Sequence, residues 1–279
     1  MKITQKEFEL FRQLIQEKCG IALDNSKGYL LENRLARMLK ESLCNNFGEL
    51  YFKLKNSRSE SMLNKMIEAV TTKETLWFRD QYPFKALHHI IFPAIIEKSQ
   101  TSDINIWSAG CSTGQETYSI AITAQEFRKT TSQGHNFINR ISILGTDISA
   151  RSVEHALIGE YDEIAIQRGL SAARLNQYFY KNGNNWQLND SIKKITLFEY
   201  QNLLDLPRRF GPFDVIFIRN VMIYFSEDLK KRILKRITSI LKKDGYLFLG
   251  TGETVQGYSD QFATLKYEGG MYFQLLQGV

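Results

Sequence analysis

Residues 104–116, INIWSAGCSTGQE, limit what this chain can become more than any other stretch. Ile104, Ile106, Trp107 and Ala109 place apolar side chains at alternating or adjacent positions and predict a short buried strand. Gly110 and Gly114 then break the strand, and a helical pattern resumes at Glu116. A strand, a loop of small residues and a helix form the ligand corner of an open α/β sheet. Glycine there lets the backbone come close to a ligand, and the helix N-terminus offers free N–H groups to a negative group.

The loop does not read G-x-G-x-x-G, which excludes the dinucleotide fingerprint. No Lys-Ser or Lys-Thr follows Gly114, which excludes a P-loop. Two glycines four apart are, alone, an ordinary strand-to-helix turn. A second apolar run, 141–145, ends in Thr146-Asp147. An acid at the tip of the second strand suits a cis-diol, because one carboxylate can accept from both ribose hydroxyls. The separation exceeds the usual ~20 residues, so the intervening helix must be long or carry a loop. A glycine loop and a strand-end acid without phosphate machinery favour a nucleoside that lacks phosphates. S-adenosylmethionine is the commonest such cofactor.

At 279 residues the chain is long for one domain, and two are expected. Residues 1–70 read as helices only. Thr4-x-x-Glu7 is a capping box ahead of Phe8, Phe11, Leu14 and Ile15, and Gly20 stands where a C-cap belongs. A second helix is predicted from about Lys27 to Leu43, with Leu31, Leu35, Met38 and Leu39 as its apolar stripe. Arg34, Arg37 and Lys40 recur every third residue and make a basic face, which reads equally well as a solvated surface. Asn46-x-x-Glu49 and Ser57-x-x-Glu60 mark two further helices, the last carrying Leu63, Met66, Ile67 and Val70.

The segment TTKETLWFRD, 71–80, carries Trp77 and Phe78 side by side, which favours a packed piece lining a cleft over a free linker. Tyr82-Pro83 can start the next helix. From Asp103 strands and helices alternate, with a helix through about Thr130. About 155–200 interrupts this order, and the 182–185 turn, NGNN, predicts an inserted helix and small antiparallel piece. Lys194–Phe198 and Phe213–Ile218 are the next predicted strands. A helix over Glu227–Lys243, burying Ile233, Ile237, Ile240 and Leu241, leads to a strand at Tyr246–Leu249. A terminal hairpin is expected over 262–267 and 271–276.

No apolar run approaches the ~20 residues of a membrane span, and MKITQKEFEL has no apolar signal core, so a cytoplasmic location is expected. Three scattered cysteines predict reduced thiols, and the four histidines show no ligand pattern, so no metal is expected. The net charge of +6 suits a polyanionic partner, either nucleic acid or an acidic protein surface.

Five stretches in order, TTKETLWFRD (71–80), WSAGCSTGQETYSIA (107–121), GTDIS (145–149), NLL (202–204) and FDVIFIRNVMIYF (213–225), resemble the CheR-type chemoreceptor glutamate O-methyltransferases. The resemblance covers nearly the whole chain. It implies an α/β, Rossmann-like methyltransferase sheet with a C-terminal antiparallel hairpin and a small inserted antiparallel subdomain, preceded by an all-α domain. The implied division is 1–70 for substrate-helix recognition, 71–82 lining the cofactor cleft, and 83–279 for catalysis, with the insert at about 155–200. The implied reaction uses S-adenosylmethionine to methylate receptor glutamates and releases S-adenosylhomocysteine.

Carried over by position, Lys73, Thr75 and Arg79 would contact the cofactor, with Arg79 near the transferable methyl. Gly110 and Glu116 would hold its amino-acid part, Glu116 meeting the ammonium. Asp147 would hold the ribose diol, Asn202 and Leu203 would frame the adenine, and Arg219 and Asn220 would line the floor. Tyr224 would face the methyl and the incoming carboxylate, making Arg79 and Tyr224 the catalytic pair. Arg34, Arg37 and Lys40 would hold an acidic receptor helix. Lys73 stands where the family usually has asparagine, Thr117 where it has proline, and Met38 where a further arginine is common. Each residue also has a plain alternative: Arg79 paired with Asp80 or Glu74, Tyr224 as packing, Glu116 as a helix-terminus charge. The implied partner is the cytoplasmic helical bundle of chemoreceptors, with no nucleic acid, no membrane insertion and a monomeric enzyme. A nucleic-acid methyltransferase is the first rival, although 219–222 reads RNVM rather than the [DNS]-P-P-[YF] of amino-directed enzymes. A non-catalytic cofactor-sensing module is the second.

Overall fold

The computed structural model describes residues 2–57, 60–99, 101–131, 134–207 and 210–276. Four helices come first: α1 (Gln5–Cys19), α2 (Gly28–Glu41), α3 (Phe47–Asn56) and α4 (Glu60–Val70). The capping box at Thr4 and Glu7 forms as expected, and Gly20 closes α1 in the left-handed conformation at φ 77°. Asn46 accepts from the Glu49 N–H and caps α3. The Ser57-x-x-Glu60 pattern spans 58 and 59 and lies outside the described residues. Phe11, Ile15, Leu35, Leu50 and Met66 meet in one buried core that α1–α4 share.

The second helix is shorter than its periodicity predicts. Asp24 caps a 3₁₀ turn, Asn25–Lys27, and α2 ends at Glu41. Leu43 leaves the helix at φ 54° with its side chain 91% exposed, so nothing packs it back into the helical stripe.

The segment 71–81 is packed, not free. Trp77 is fully buried, its ring edge-on to Tyr161 at 4.9 Å and Phe179 at 5.3 Å. The next helix starts at Tyr82-Pro83 and runs as α5 (Tyr82–Ala86), a π-helical turn at Leu87–Ile91 and α6 (Phe92–Lys98).

The sheet is built from β1 (Ile104–Ala109), β2 (Ile141–Asp147), β6 (Thr196–Tyr200), β7 (Phe213–Ile218), β8 (Leu241–Leu249), β9 (Phe262–Tyr267) and β10 (Gly270–Leu275). Its order is β6-β2-β1-β7-β8-β10-β9, parallel up to β8, with β10 antiparallel to both neighbours. Helix α7 (Gln115–Thr130) and the short α8 (Gly134–Ile138) separate β1 from β2, which accounts for the long spacing between the glycine loop and Asp147.

After α9 (Ala150–Ile158), β3 (Glu160–Tyr161), α10 (Glu163–Gln167), α11 (Ala172–Tyr178), β4 (Phe179–Asn182) and β5 (Asn185–Leu188) form the insert, a separate antiparallel sheet of order β3-β5-β4. The α12 turn (Asp190–Lys193) delays β6 by two residues relative to the sequence expectation, since the Lys194 N–H still bonds back to Asp190.

Helix α13 (Glu227–Ile240) likewise ends three residues early. Leu241 turns extended and pairs with Phe213, so it is buried as the first residue of β8, and Ile240 is only half-buried. Two apolar cores flank the sheet, one containing Ile106, Ile120, Ile143 and Phe217, the other Trp107, Ile216, Ile233 and Leu247. Among the described residues no helix is long and apolar enough to cross a membrane.

Candidate active site

Where β1, β2 and β7 end, the strand tips and the helical block enclose a cavity of about 390 Å³. That is within the usual ~300–1,000 Å³ of a small-ligand site. Its walls come from both halves of the chain: Cys19, Lys27, Arg34 and Val70 on one side, Gly110, Asp147, Leu203, Asn220 and Val221 on the other. Several ties hold the halves together, among them the following. Ile21 bridges Phe225, the Ala22 N–H donates to the Tyr224 carbonyl at 2.8 Å, and Asn202 Nδ2 donates to the Lys18 carbonyl at 2.7 Å.

Gly110 must be glycine for two reasons. Its φ is 76°, and a Cβ there would fall 2.5 Å from Val221 Cγ2. Beside it, Asp147 at the tip of β2 accepts from the Ser112 N–H at 2.8 Å and the Ser149 N–H at 2.9 Å. Each carboxylate oxygen thus takes one backbone donor and keeps acceptor capacity for the cavity. Burial pushes the Asp147 carboxyl above its ordinary value of 3.8, while the two backbone donors pull it back down.

At the other end the floor is built around Arg219, which follows β7. Its side chain is fully buried and holds Glu116 at 2.9 Å, Asp80 at 2.5 Å and the Arg79 carbonyl at 2.9 Å. Glu116 also accepts from Ser108 Oγ at 2.8 Å. One buried guanidinium therefore faces two carboxylates, the compensation that a desolvated charge requires. Asn220 sits at φ 60°, and its N–H donates to Glu253 Oε2 at 2.8 Å. Glu253 accepts as well from the Ile223 N–H at 3.0 Å and the Gly250 N–H at 2.6 Å, so it braces the turn after β7. The Asn220 Oδ1 is buried and has no donor among the described residues.

The structure brings Lys73, Gly110, Asp147, Asn202, Leu203, Arg219, Asn220, Tyr224 and Arg34 into the lining of this one cavity. It does not bring in Thr75, Arg79, Glu116, Arg37 or Lys40. Glu116, expected against an ammonium, meets Arg219. Lys73 turns its ammonium to Glu68 at 2.9 Å. The basic face of α2 does not act as a unit. Arg34 donates to the Val70 carbonyl and to Thr72 Oγ1, Arg37 pairs with Glu41 at 2.6 Å on the surface, and Lys40 is exposed. Both acids that might have paired with Arg79 are taken, Asp80 by Arg219 and Glu74 by Arg168. The Arg79 side chain makes no hydrogen bond or ion pair among the described residues.

The profile described as "CheR methyltransferase, SAM binding domain" matches residues 73–271, and "CheR methyltransferase, all-alpha domain" matches 6–71. The chain belongs to the CheR methyltransferase family. It is 38% identical to "Chemotaxis protein methyltransferase Cher2" of Pseudomonas putida over 98% of this chain and 99% of that protein. It is also 38% identical to "Chemotaxis protein methyltransferase 1" of Pseudomonas aeruginosa, with the same coverage. Identity to the "Chemotaxis protein methyltransferase" of Vibrio parahaemolyticus is 36%, over 98% of each chain.

This CheR protein is a methyltransferase whose cofactor is S-adenosylmethionine, and the cavity fits that molecule. Asp147 is an acceptor placed for a diol, the unpaired Asn220 Oδ1 can take an N–H, and Leu203 and Val221 offer apolar surface. No loop of phosphate-binding type is present in the lining.

Several residues that shape this CheR site were not singled out from the sequence. Glu253 and Asp80 fix the Arg219–Asn220 floor from positions 33 and 139 residues away in the chain. Glu68 joins the corner at Asp147 from the helical block, accepting from Ser149 Oγ at 2.6 Å. The capping potential of Ser149 is visible in the sequence, but nothing there says which acid would reach it.

Proposed function

We propose that this chain transfers a methyl group from S-adenosylmethionine to glutamate side chains in the cytoplasmic helical bundle of chemoreceptors, giving glutamate 5-O-methyl esters and S-adenosylhomocysteine. In this reading residues 1–70 recognise the substrate helix, 71–82 line the cleft and 83–279 catalyse. The observation that carries it is the cavity's shared wall. Lys27 and Arg34 from the helical block line the same cavity as Asp147 and Asn220, so a helix docked on α2 would present its carboxylates near the cofactor site.

Asp147 would hold the ribose, Asn202 and Leu203 the adenine, and Gly110 and Asn220 the amino-acid end. When bound, S-adenosylmethionine supplies an electrophilic methyl on a positively charged sulfur. A glutamate side chain is already ionised near neutral pH, so the chain need provide no general base. An incoming carboxylate loses charge as it becomes an ester, and a lining that excludes water favours that loss. Correct in-line placement can supply ~7–11 kcal/mol. Arg79 stands outside the cavity lining with its acidic neighbours both committed elsewhere, so in this reading it reaches the incoming carboxylate from beside the cavity, with Tyr224 of the lining as its companion. A loose hold suits the task, since a tight ion pair would stabilise the ground state most.

Label transfer from S-adenosylmethionine to a purified receptor cytoplasmic fragment tests the reading. The expected product releases methanol in alkali, whereas an unlabelled fragment or an alkali-stable label would count against a carboxyl ester.

A further inference from the structure

Five residues from four separate segments close a hydrogen-bonded ring behind the ribose acid. Glu68 of α4 accepts from Ser149 Oγ at 2.6 Å, and also from the Arg151 N–H at 3.1 Å and Lys73 Nζ at 2.9 Å. The Lys73 carbonyl accepts from Ser112 Oγ at 3.2 Å. The Ser112 and Ser149 N–H groups, at 2.8 and 2.9 Å, are the two donors that hold Asp147. The ring thus runs Glu68, Lys73, Ser112, Asp147, Ser149 and back to Glu68. Its one member from the helical block is Glu68.

We propose that Glu68 is a positioning residue: by gripping Ser149 and Lys73 it fixes both backbone donors of Asp147 and couples the helical block to cofactor affinity. The coupling to affinity rests on the reading of Asp147 as the ribose acid. The geometry gives Glu68 a reason to be there that packing alone does not. Its side chain is one-fifth exposed, yet it carries three donors. Burial raises its carboxyl pKa, but the three donors together outweigh that and hold it below its ordinary value, which favours the charged form that the ring requires. A displacement of α4 pulls on Ser149 directly and on Ser112 through Lys73, so a helix docking on the α-helical block can change how Asp147 is presented.

The test uses the full chain with Glu68→Ala, Lys73→Met and Asp147→Asn, S-adenosylhomocysteine as the titrant, and amide hydrogen exchange at Ser112 and Ser149 in the ligand-free protein. Glu68→Ala should raise the Kd for S-adenosylhomocysteine roughly tenfold, the scale of one lost hydrogen bond to a charged group. Both amides should exchange faster, and in turnover the loss should fall on KM for the cofactor more than on kcat. Lys73→Met opens one side of the ring only, so it should speed exchange at Ser112 more than at Ser149. It also carries the test should Glu68→Ala fail to fold. Unchanged exchange at both amides in Glu68→Ala overturns the proposal, as does an unchanged Kd in a protein whose Asp147→Asn variant binds more weakly. If Asp147→Asn itself binds S-adenosylhomocysteine normally, the ribose reading fails, and the ring then stands or falls on the two amides.

Discussion

The two ends of the cavity solve the problem of a buried charge differently. At the floor, Arg219 is neutralised by side chains: Glu116, largely withdrawn from water, and Asp80, which keeps part of its surface in solvent. At the corner, Asp147 is held by two backbone N–H groups with no ion pair among the described residues, and burial leaves its carboxyl above the ordinary value although the charge of Lys73 draws it down. A guanidinium locked between two acids is a structural fixture. A carboxylate that keeps spare acceptor capacity and an elevated pKa is one that a ligand can still satisfy. The difference teaches that the buried ion pairs of Arg219 support the fold, whereas the Asp147 corner is left able to accept a ligand.

That contrast breaks most easily at the floor. Glu116→Ala, which leaves Arg219 buried with half its compensation, should destabilise the protein by about 3 kcal/mol in urea unfolding. Arg219→Met combined with Glu116→Gln, which removes the charge along with its partner, should recover part of that loss. If Glu116→Ala is as stable as the parent, the floor is not the fixture described.

The next effect is expected at the corner, mainly in binding. Asp147→Asn should weaken S-adenosylhomocysteine by ~1.5–3 kcal/mol, the value of a hydrogen bond to a charged acceptor. Its urea midpoint should fall only modestly: the amide nitrogen cannot accept from one of the two backbone N–H groups, Ser112 or Ser149, while loss of the buried charge offsets part of that cost.

Acidity sharpens the same comparison. The Asp147 carboxyl is raised from 3.8, so the folded chain loses stability as pH climbs from there through the raised value, while affinity for the nucleoside grows over that window. Glu68 is lowered from 4.5, so its stabilisation is complete above that value and disappears as pH falls through the lowered one. Calorimetric titration from pH 4 upward should therefore show binding weaken on acidification before unfolding sets in; loss of both together would contradict it.

The smallest effects separate residues on α2. Arg34→Ala removes two hydrogen bonds, one to the end of α4 and one to the segment after it, and should cost roughly 1–2 kcal/mol, with weaker, less salt-dependent receptor binding. Arg37→Ala, whose ion pair is fully exposed, should leave the unfolding midpoint unchanged.

The sheet was legible because buried strands carry apolar runs such as 215–218, and the glycine loop with Asp147 marks the ligand corner by chemistry alone. Helix limits were less so. Leu241 satisfies a helical period as well as a strand, and only its pairing with Phe213 decides between them. The basic period of α2 was equally ambiguous, since spacing cannot tell that Arg34 turns inward to Val70 while Arg37 faces solvent. Charge partners distant in sequence were invisible: nothing local to Asp80, Glu68 or Glu253 points to Arg219, Ser149 or Asn220.

A crystal structure with S-adenosylhomocysteine bound tests the central claim most directly. The nucleoside should lie in the cavity between α2 and the strand ends, its ribose hydroxyls on Asp147 and its adenine beside Leu203. A nucleoside bound elsewhere, or an Asp147 carboxylate without a ribose hydroxyl on it, would contradict it.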